Sequence, residues 1–297
     1  MTEPWLLAVG ETMALVTPAQ PVRLTDAVDF HVDAGGAESN VASHAAALGV
    51  PTAWFSRLGD DALGHRIARQ LAARQVDVSR VVYDAARPTG LYVKDPGHGV
   101  RYYRGGSAAS ALSVADAAGL SLDGVRVVHV SGITAALSPS AAAFLDALID
   151  RARAAGAVVS FDVNHRPALW ADDVAASALD ALARRADLVF VGRDEAERLW
   201  RTTDAAAIHD RFHDVPELVV KDGDVGATAF VGDLRYFMPA NRVDAVEAVG
   251  AGDAFAGGYL AALLSDVPVR ERLRAGHARA ALTLQTTGDY LHEGARS

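Results

Sequence analysis

The stretch VRVVHVSGITAALSPSAAAFLDALIDRARAAGAVVSFDVN, from Val125 to Asn164, decides the fold. It opens on a short apolar run ending at Gly132, which reads as a buried strand. Ser138 and Pro139 then stand as N-cap and first helical residue ahead of apolar positions at helical spacing. After Gly156, AVVSFDVN is a second buried strand. The pattern continues with a helix over DDVAASALDALARRA, a strand over DLVFVG, a helix over RDEAERLW and a strand over PELVVKDG. Strands alternating with helices predict an α/β protein with a doubly wound, mainly parallel sheet covered on both faces. Ligands of such sheets bind at the carboxyl ends of strands. That singles out Asn164 and Arg166 after one strand, Arg193 to Glu195 after the next, and Lys221 to Gly223 after a third.

Towards the N-terminus, HVDAGGAESNVASHAAALG gives a glycine pair and a helix from about Glu38. TAWFSRLGDDALGHRIARQLAARQ gives a strand, a turn at Gly59-Asp60-Asp61 and an amphipathic helix. Two β-rich, turn-rich segments break the alternation, at about residues 11–33 and 88–107. They are expected to pair into a small sheet that projects as a lid, with residues 1–297 forming a single domain. Such a lid keeps water from a reactive site; two edge hairpins without a role fit the pattern equally well.

Towards the C-terminus, AVGAGDAFAGG runs from Ala248 to Gly258. Gly250-Ala251-Gly252 reads as a tight loop feeding a helix, with Asp253 in its first turn. Asp253 could cap that helix. Capping is the commoner role for an Asp in this position; the sharper alternative stands it beside a phosphate held by the glycine-rich backbone. The string is neither G-x-G-x-x-G nor a Walker A loop, since Phe255 stands at the third glycine and no Lys follows.

Composition narrows the classes. The 297 residues carry a net charge of −9, which argues against a nucleic-acid partner. With no cysteine, disulfides, thiolate zinc sites and thiol nucleophiles are excluded. No apolar run reaches membrane-spanning length, and the first residues lack a basic n-region and a cleavage site, so a cytoplasmic location is expected. No pair of histidines has metal-ligand spacing, so no transition-metal site is expected.

With these segments placed, the chain resembles the ribokinase-like (PfkB) carbohydrate kinases over essentially its whole length. The resemblance rests on two signatures in the right order, AGGAESNVASHAAALG and EAVGAGDAFAGGYL. FDVNHRPALW, VGRDEAERLW and VKDGDVGATAF fall between them, where the family has substrate, metal and nucleotide contacts. Within the family, GETMALVTP, RYYRGGSAAS and DVNHRPALW are most similar to kinases of 2-keto-3-deoxygluconate. The resemblance implies a ribokinase-like fold with a β-lid and ATP-dependent phosphorylation of the primary hydroxyl of a sugar acid. Another sugar kinase of the same fold, such as a fructokinase or a 5-keto-2-deoxygluconate kinase, is the rival reading. A non-catalytic binding protein on this scaffold is a more distant one.

The resemblance also assigns roles. Asp253 is the base, and the backbone N–H groups of Gly250, Ala251 and Gly252 form the anion hole. Gly36, Asn40, Tyr92, Tyr103, Arg104, Arg166 and Asp289 face the sugar, with Tyr92 and Tyr103 closing over it from the lid. Arg104 and Arg166 supply the forked, charge-assisted hydrogen bonds that a carboxylate takes. Asn164, Lys221, Gly223 and Gly226 join Arg166, Gly250 and Gly252 beside ATP, and Glu195 orients Mg2+ through water. His165 is expected to pack rather than act as a base. Three departures from the family pattern stand out. Glu247-Ala248 replaces the usual Asp-Thr, which leaves a potassium requirement undecided. Gly192 replaces the Asn of the metal motif. The lid carries no acidic sugar reader, which suits an acid substrate. The implied partners are a small sugar acid, ATP and a second copy of the chain docking through the lid as a homodimer or higher homo-oligomer.

Overall fold

Alternating apolar residues of β1 (Leu6–Val9) divide the core: Leu7 and Val9 pack on one face of the main sheet, Leu6 and Ala8 on the other. The computed structural model describes residues 3–244 and 249–285. After β1 the chain forms β2 (Met13–Pro18), β3 (Phe30–Gly35) and α1 (Ala37–Ala46). Next come β4 (Thr52–Phe55), β5 (Arg57–Gly59), α2 (Ala62–Ala73), β6 (Val76–Asp77) and β7 (Val82–Asp84). β8 (Leu91–Asp95), β9 (Gly99–Tyr103), a 3-10 turn (Ala108–Ala111) and α3 (Val114–Gly119) follow.

From β10 (Val127–Ser131) the expected alternation sets in, with α4 (Gly132–Leu137), α5 (Pro139–Ala154), β11 (Val158–Asp162), α6 (Asp172–Ala183) and β12 (Leu188–Gly192). It continues through α7 (Arg193–Trp200), α8 (Ala205–Arg211) and β13 (Glu217–Asp222). Ser138 does cap α5, accepting from the Ala141 amide, with Pro139 in its first turn. The chain then adds two antiparallel strands that the alternation does not predict, β14 (Gly226–Val231) and β15 (Leu234–Pro239). It ends its described part with α9 (Ala251–Leu264) and α10 (Val269–Leu284).

Nine strands form the main sheet in the order β15-β14-β13-β12-β11-β10-β1-β4-β6, parallel from β13 to β6. Phe144, Leu148, Leu179 and Ile208 of α5, α6 and α8 cover one face. Val41, Phe255, Tyr259 and Leu273 of α1, α9 and α10 cover the other. Each such side chain taken out of water contributes about 1.5–3 kcal/mol. The result is a doubly wound α/β fold of the expected class.

A second sheet, ordered β3-β2-β8-β9, rises from the two β-rich segments. Val32, Leu91 and Ala34 on one of its faces pack with Ile67 and Leu71 of α2. Arg66 and Gln70 of the same helix donate to the Val32 carbonyl. Asp61 both caps α2 and accepts from the Thr89 amide at 2.8 Å, fastening the start of β8 to that helix. α9 enters through Gly250, whose φ of +82° suits glycine. It packs against α1 so closely that a Cβ on Gly257 would lie 2.7 Å from His44 Cβ and 2.8 Å from the Val41 carbonyl. Among the described residues no helix is long and apolar enough to cross a membrane, and no group of three or more His, Asp or Glu could hold a metal ion.

Candidate active site

Asp253 is the third residue of α9, so it stands where the helix leaves backbone N–H groups without intrahelical partners. The amides of Ala251 and Gly252 meet no acceptor among the described residues, and a Cβ on Gly252 would have only Lys221 Nζ near it, at 3.6 Å. Gly250, Ala251 and Gly252 thus present an accessible helix N-terminus with a lysine beside it. Asn40, on α1, donates from Nδ2 to Asp253 Oδ2 at 2.9 Å. Asp253 Oδ1 accepts no hydrogen bond among the described residues. Protein crowds around the carboxylate, yet the residue stays partly exposed, as a base that must meet a substrate hydroxyl requires. Burial pushes Asp253 up to about 7; the Asn40 hydrogen bond and the Arg166 charge pull the other way, while Asp162 adds to the rise.

The strand ends beneath α9 carry an ion pair. Lys221, at the end of β13, donates to Asp162 Oδ2, at the end of β11, at 2.7 Å. Burial works against the ammonium, but Asp162 and Glu195 together hold its titration above the usual range. Asp162 Oδ1 is buried and unpartnered. Glu195 folds back over the start of α7: its Oε2 accepts from Gly192 N and its Oε1 from His165 N, both at 2.9 Å. A side chain at Gly192 would press on that carboxylate, since a Cβ there lies 3.0 Å from Glu195 Oε2.

Beyond β11, Asn164 is buried with φ +41°, and His165 is buried as expected of a packing residue. Burial lowers the His165 titration. Arg166 is exposed, donates to the His165 carbonyl at 3.3 Å and has no carboxylate within ion-pair distance among the described residues. Its charge is felt at both Asp253 and Glu195. Gly223 lies in the turn from β13 to β14 and Gly226 opens β14, paired with Asp222, both close along the chain to Lys221.

On the lid side, Gly36 precedes α1 and faces Thr12, with an added Cβ 2.7 Å from the Thr12 hydroxyl. Tyr92 is buried with its hydroxyl against Gly35. Arg104 is bound to Glu11: its Nε donates to Oε2 at 2.7 Å and Nη2 pairs with the same oxygen. One expectation needs correction. Tyr92 and Tyr103 cannot close over one substrate from the same sheet face, because Tyr92 is paired with Tyr102 and Tyr103 with Leu91. Strand alternation therefore puts Tyr103 on the opposite face, 63% exposed. Tyr102 is the residue that shares a face with Tyr92, ring centroids 5.6 Å apart, with the Arg104 guanidinium 5.7 Å from its own ring.

The structure also brings in carboxylates that the sequence does not single out. Glu38, in the first turn of α1, is fully buried, accepts from Ser131 Oγ and feels Asp253; burial pushes it to about 7. Its place two residues after a glycine pair is the only local signal. Asp289 and the Glu247-Ala248 pair lie outside the described residues.

Asp253 is a base only when ionised, so its elevated titration has a consequence for rate. The activity is expected to rise with pH along an acid limb centred near 7. The measurement is kcat/KM between pH 5.5 and 8.5, and a flat profile across 6 to 8 would remove Asp253 from the titrating step.

A partly exposed carboxylate, an open helix N-terminus and a lysine converging at the carboxyl end of a doubly wound sheet define a group-transfer site built for an anion and a hydroxyl. The chain belongs to the pfkB family carbohydrate kinases, whose model matches residues 5–293, and it is a carbohydrate kinase. It is 36% identical to 2-dehydro-3-deoxygluconokinase of Bacillus subtilis (strain 168) over 94% of this chain and 89% of that one. It is 33% identical to 2-dehydro-3-deoxygalactonokinase of Haloferax volcanii over 96% and 92%, and 31% identical to fructokinase-2 of Zea mays over 91% and 84%. Among solved structures, a PfkB protein from Polaromonas sp. JS666 superposes with a TM-score of 0.88 at 35% identity, covering 95% of this chain and 96% of that one.

Proposed function

We propose that the chain phosphorylates the primary hydroxyl of a sugar acid with ATP, the substrate being 2-keto-3-deoxygluconate and the product its 6-phosphate. The observation that carries this reading is Arg166: an exposed guanidinium without a carboxylate partner among the described residues, close enough to Asp253 to shift its titration. A guanidinium so placed suits a substrate carboxylate. The names of the relatives in Bacillus subtilis and Haloferax volcanii support the same class of substrate.

In this mechanism the sugar lies against Gly36 with Asn40 bonding a hydroxyl. Asp253 Oδ1 takes the proton of the primary hydroxyl, while Asn40 fixes the other carboxylate oxygen. The N–H groups of Gly250, Ala251 and Gly252 receive the charge that builds on the transferring phosphoryl oxygens. Lys221 is at hand beside Gly252 and is held in place by Asp162. Asn164, Gly223 and Gly226 border the nucleotide. The open Gly252 cradle and the unpartnered Asp162 Oδ1 suit ATP with a divalent cation. Both Glu195 oxygens already accept backbone N–H groups, so Glu195 would reach Mg2+ through water. When bound, the metal supplies charge neutralisation on the phosphates. The homo-oligomer expected through the lid belongs to the same proposal, since β9 leaves Val100, Tyr102 and Tyr103 exposed.

A second reading has its own observation. Glu11 neutralises Arg104, so only one of the two arginines carries an uncompensated charge, and a fructokinase is among the relatives. The test is ADP release with ATP, Mg2+ and a panel of 2-keto-3-deoxygluconate, 2-keto-3-deoxygalactonate, fructose and ribose. The expected result is the highest kcat/KM on a keto-deoxy acid; a higher value on fructose would replace the first reading by the second.

A further inference from the structure

We infer that Glu11 is a positioning residue for substrate selection, holding one edge of the Arg104 guanidinium so that its free edge meets the substrate carboxylate. This rests on the sugar-acid reading above.

Glu11 follows the carboxyl end of β1 by two residues and is 3% exposed. Both of its oxygens are used, and both partners come from the segment that leaves the lid. Oε2 takes Nε and Nη2 of Arg104, and Oε1 accepts from Ser107 Oγ at 2.6 Å. Ser107 in turn caps the 3-10 turn after β9. The Tyr102 ring flanks the same guanidinium. Nη1 is then the group left over: it meets no acceptor among the described residues, although the side chain is only 12% exposed.

A buried ion pair is a poor way to gain stability, because desolvation offsets much of the attraction. What it does give is direction. Arg is long and rich in rotamers, and its planar fork binds a carboxylate well only when it is aimed. Glu11 also cancels the charge of Arg104, so Arg104 brings aimed N–H bonds to the site while Arg166 brings uncompensated charge.

Two roles for Glu11 thus predict opposite signs. If Glu11 only neutralised Arg104, Glu11→Gln would restore a positive field and improve binding of an acid. If Glu11 positions Arg104, the same change lets the guanidinium wander and weakens binding. The experiment measures KM and kcat of wild type, Glu11→Gln, Arg104→Ala and the double variant on 2-keto-3-deoxygluconate and on fructose. KM for the acid is expected to rise about tenfold in Glu11→Gln with kcat within about twofold, and to rise no further when Glu11→Gln is added to Arg104→Ala. KM for fructose should change far less. An unchanged or lower KM for the acid, or additive effects in the double variant, would overturn the inference while leaving the sugar-acid reading intact. A wild-type preference for fructose would overturn both. Should Glu11→Gln not fold, Glu11→Asp enters the same cycle: a shorter carboxylate keeps the charge and loses the aim, so KM for the acid should again rise, and wild-type KM would count against positioning.

Discussion

Asp253→Asn is expected to lower kcat by about 10²–10⁴-fold, the range that general-base help supplies, with ATP affinity unchanged. The carboxamide can still accept from Asn40 through its oxygen, and the backbone N–H groups at the start of α9 are untouched. What is lost is the atom that takes the hydroxyl proton. The same variant gives an internal check against misfolding. Asp253 titrates at about 7 in the folded protein, against about 3.8 for an ordinary aspartate. Its proton therefore favours the fold fully below about pH 4, and that favour is lost as pH rises to about 7 and beyond. Above pH 7 the folded protein carries a poorly solvated charge that Asn lacks, so Asp253→Asn should melt higher than wild type at pH 8. Steady-state kinetics, ATP titration and a melting curve together decide the matter. Near-normal turnover would leave Asp253 as no more than a helix cap.

Arg166→Ala is expected to raise KM for 2-keto-3-deoxygluconate by about ten- to a hundredfold, as loss of a charge-assisted hydrogen bond costs roughly 1.5–3 kcal/mol. Fructose should lose much less, because it has no carboxylate to release. Arg104→Ala should act in the same direction but leave ATP affinity alone, since Arg104 belongs to the lid side. A second signature separates a substrate contact from a merely structural arginine. The Arg166 charge pulls the Asp253 titration down, so its removal should move the acid limb of the pH profile upward, on either sugar. Equal losses of KM on acid and neutral substrates would mean that Arg166 serves the fold or the nucleotide.

The parts legible in the sequence are those fixed locally. Ser138 and Pro139 announce α5 because capping is a matter of adjacent residues. The alternation from Val125 to Asp222 is legible because strands buried on both faces read as unbroken apolar runs. What stayed hidden depends on partners far along the chain. Tyr102 and Tyr103 are neighbours, and only the register against Leu91 and Tyr92 says which shares the face of Tyr92. Glu11 finds Arg104 across 93 residues and Lys221 finds Asp162 across 59, with no local pattern to announce either. β14 and β15 escaped because antiparallel strands need no crossover helix between them, which is the cue used for the rest.

The seating of α9 against α1 divides the molecule for anyone who would redesign it. The helix that carries Asp253 has no slack at Gly257, where even a methyl group meets backbone and side chain of its neighbour. Its chemistry is fixed in place by the interior, and altering it means rebuilding two helices together. Recognition is distributed differently: Tyr102 and Arg166 sit at partly or fully open positions, on a strand edge and on a connecting segment. New substrates are therefore to be sought by varying those positions, with the reacting carboxylate and its helix treated as a constant chassis.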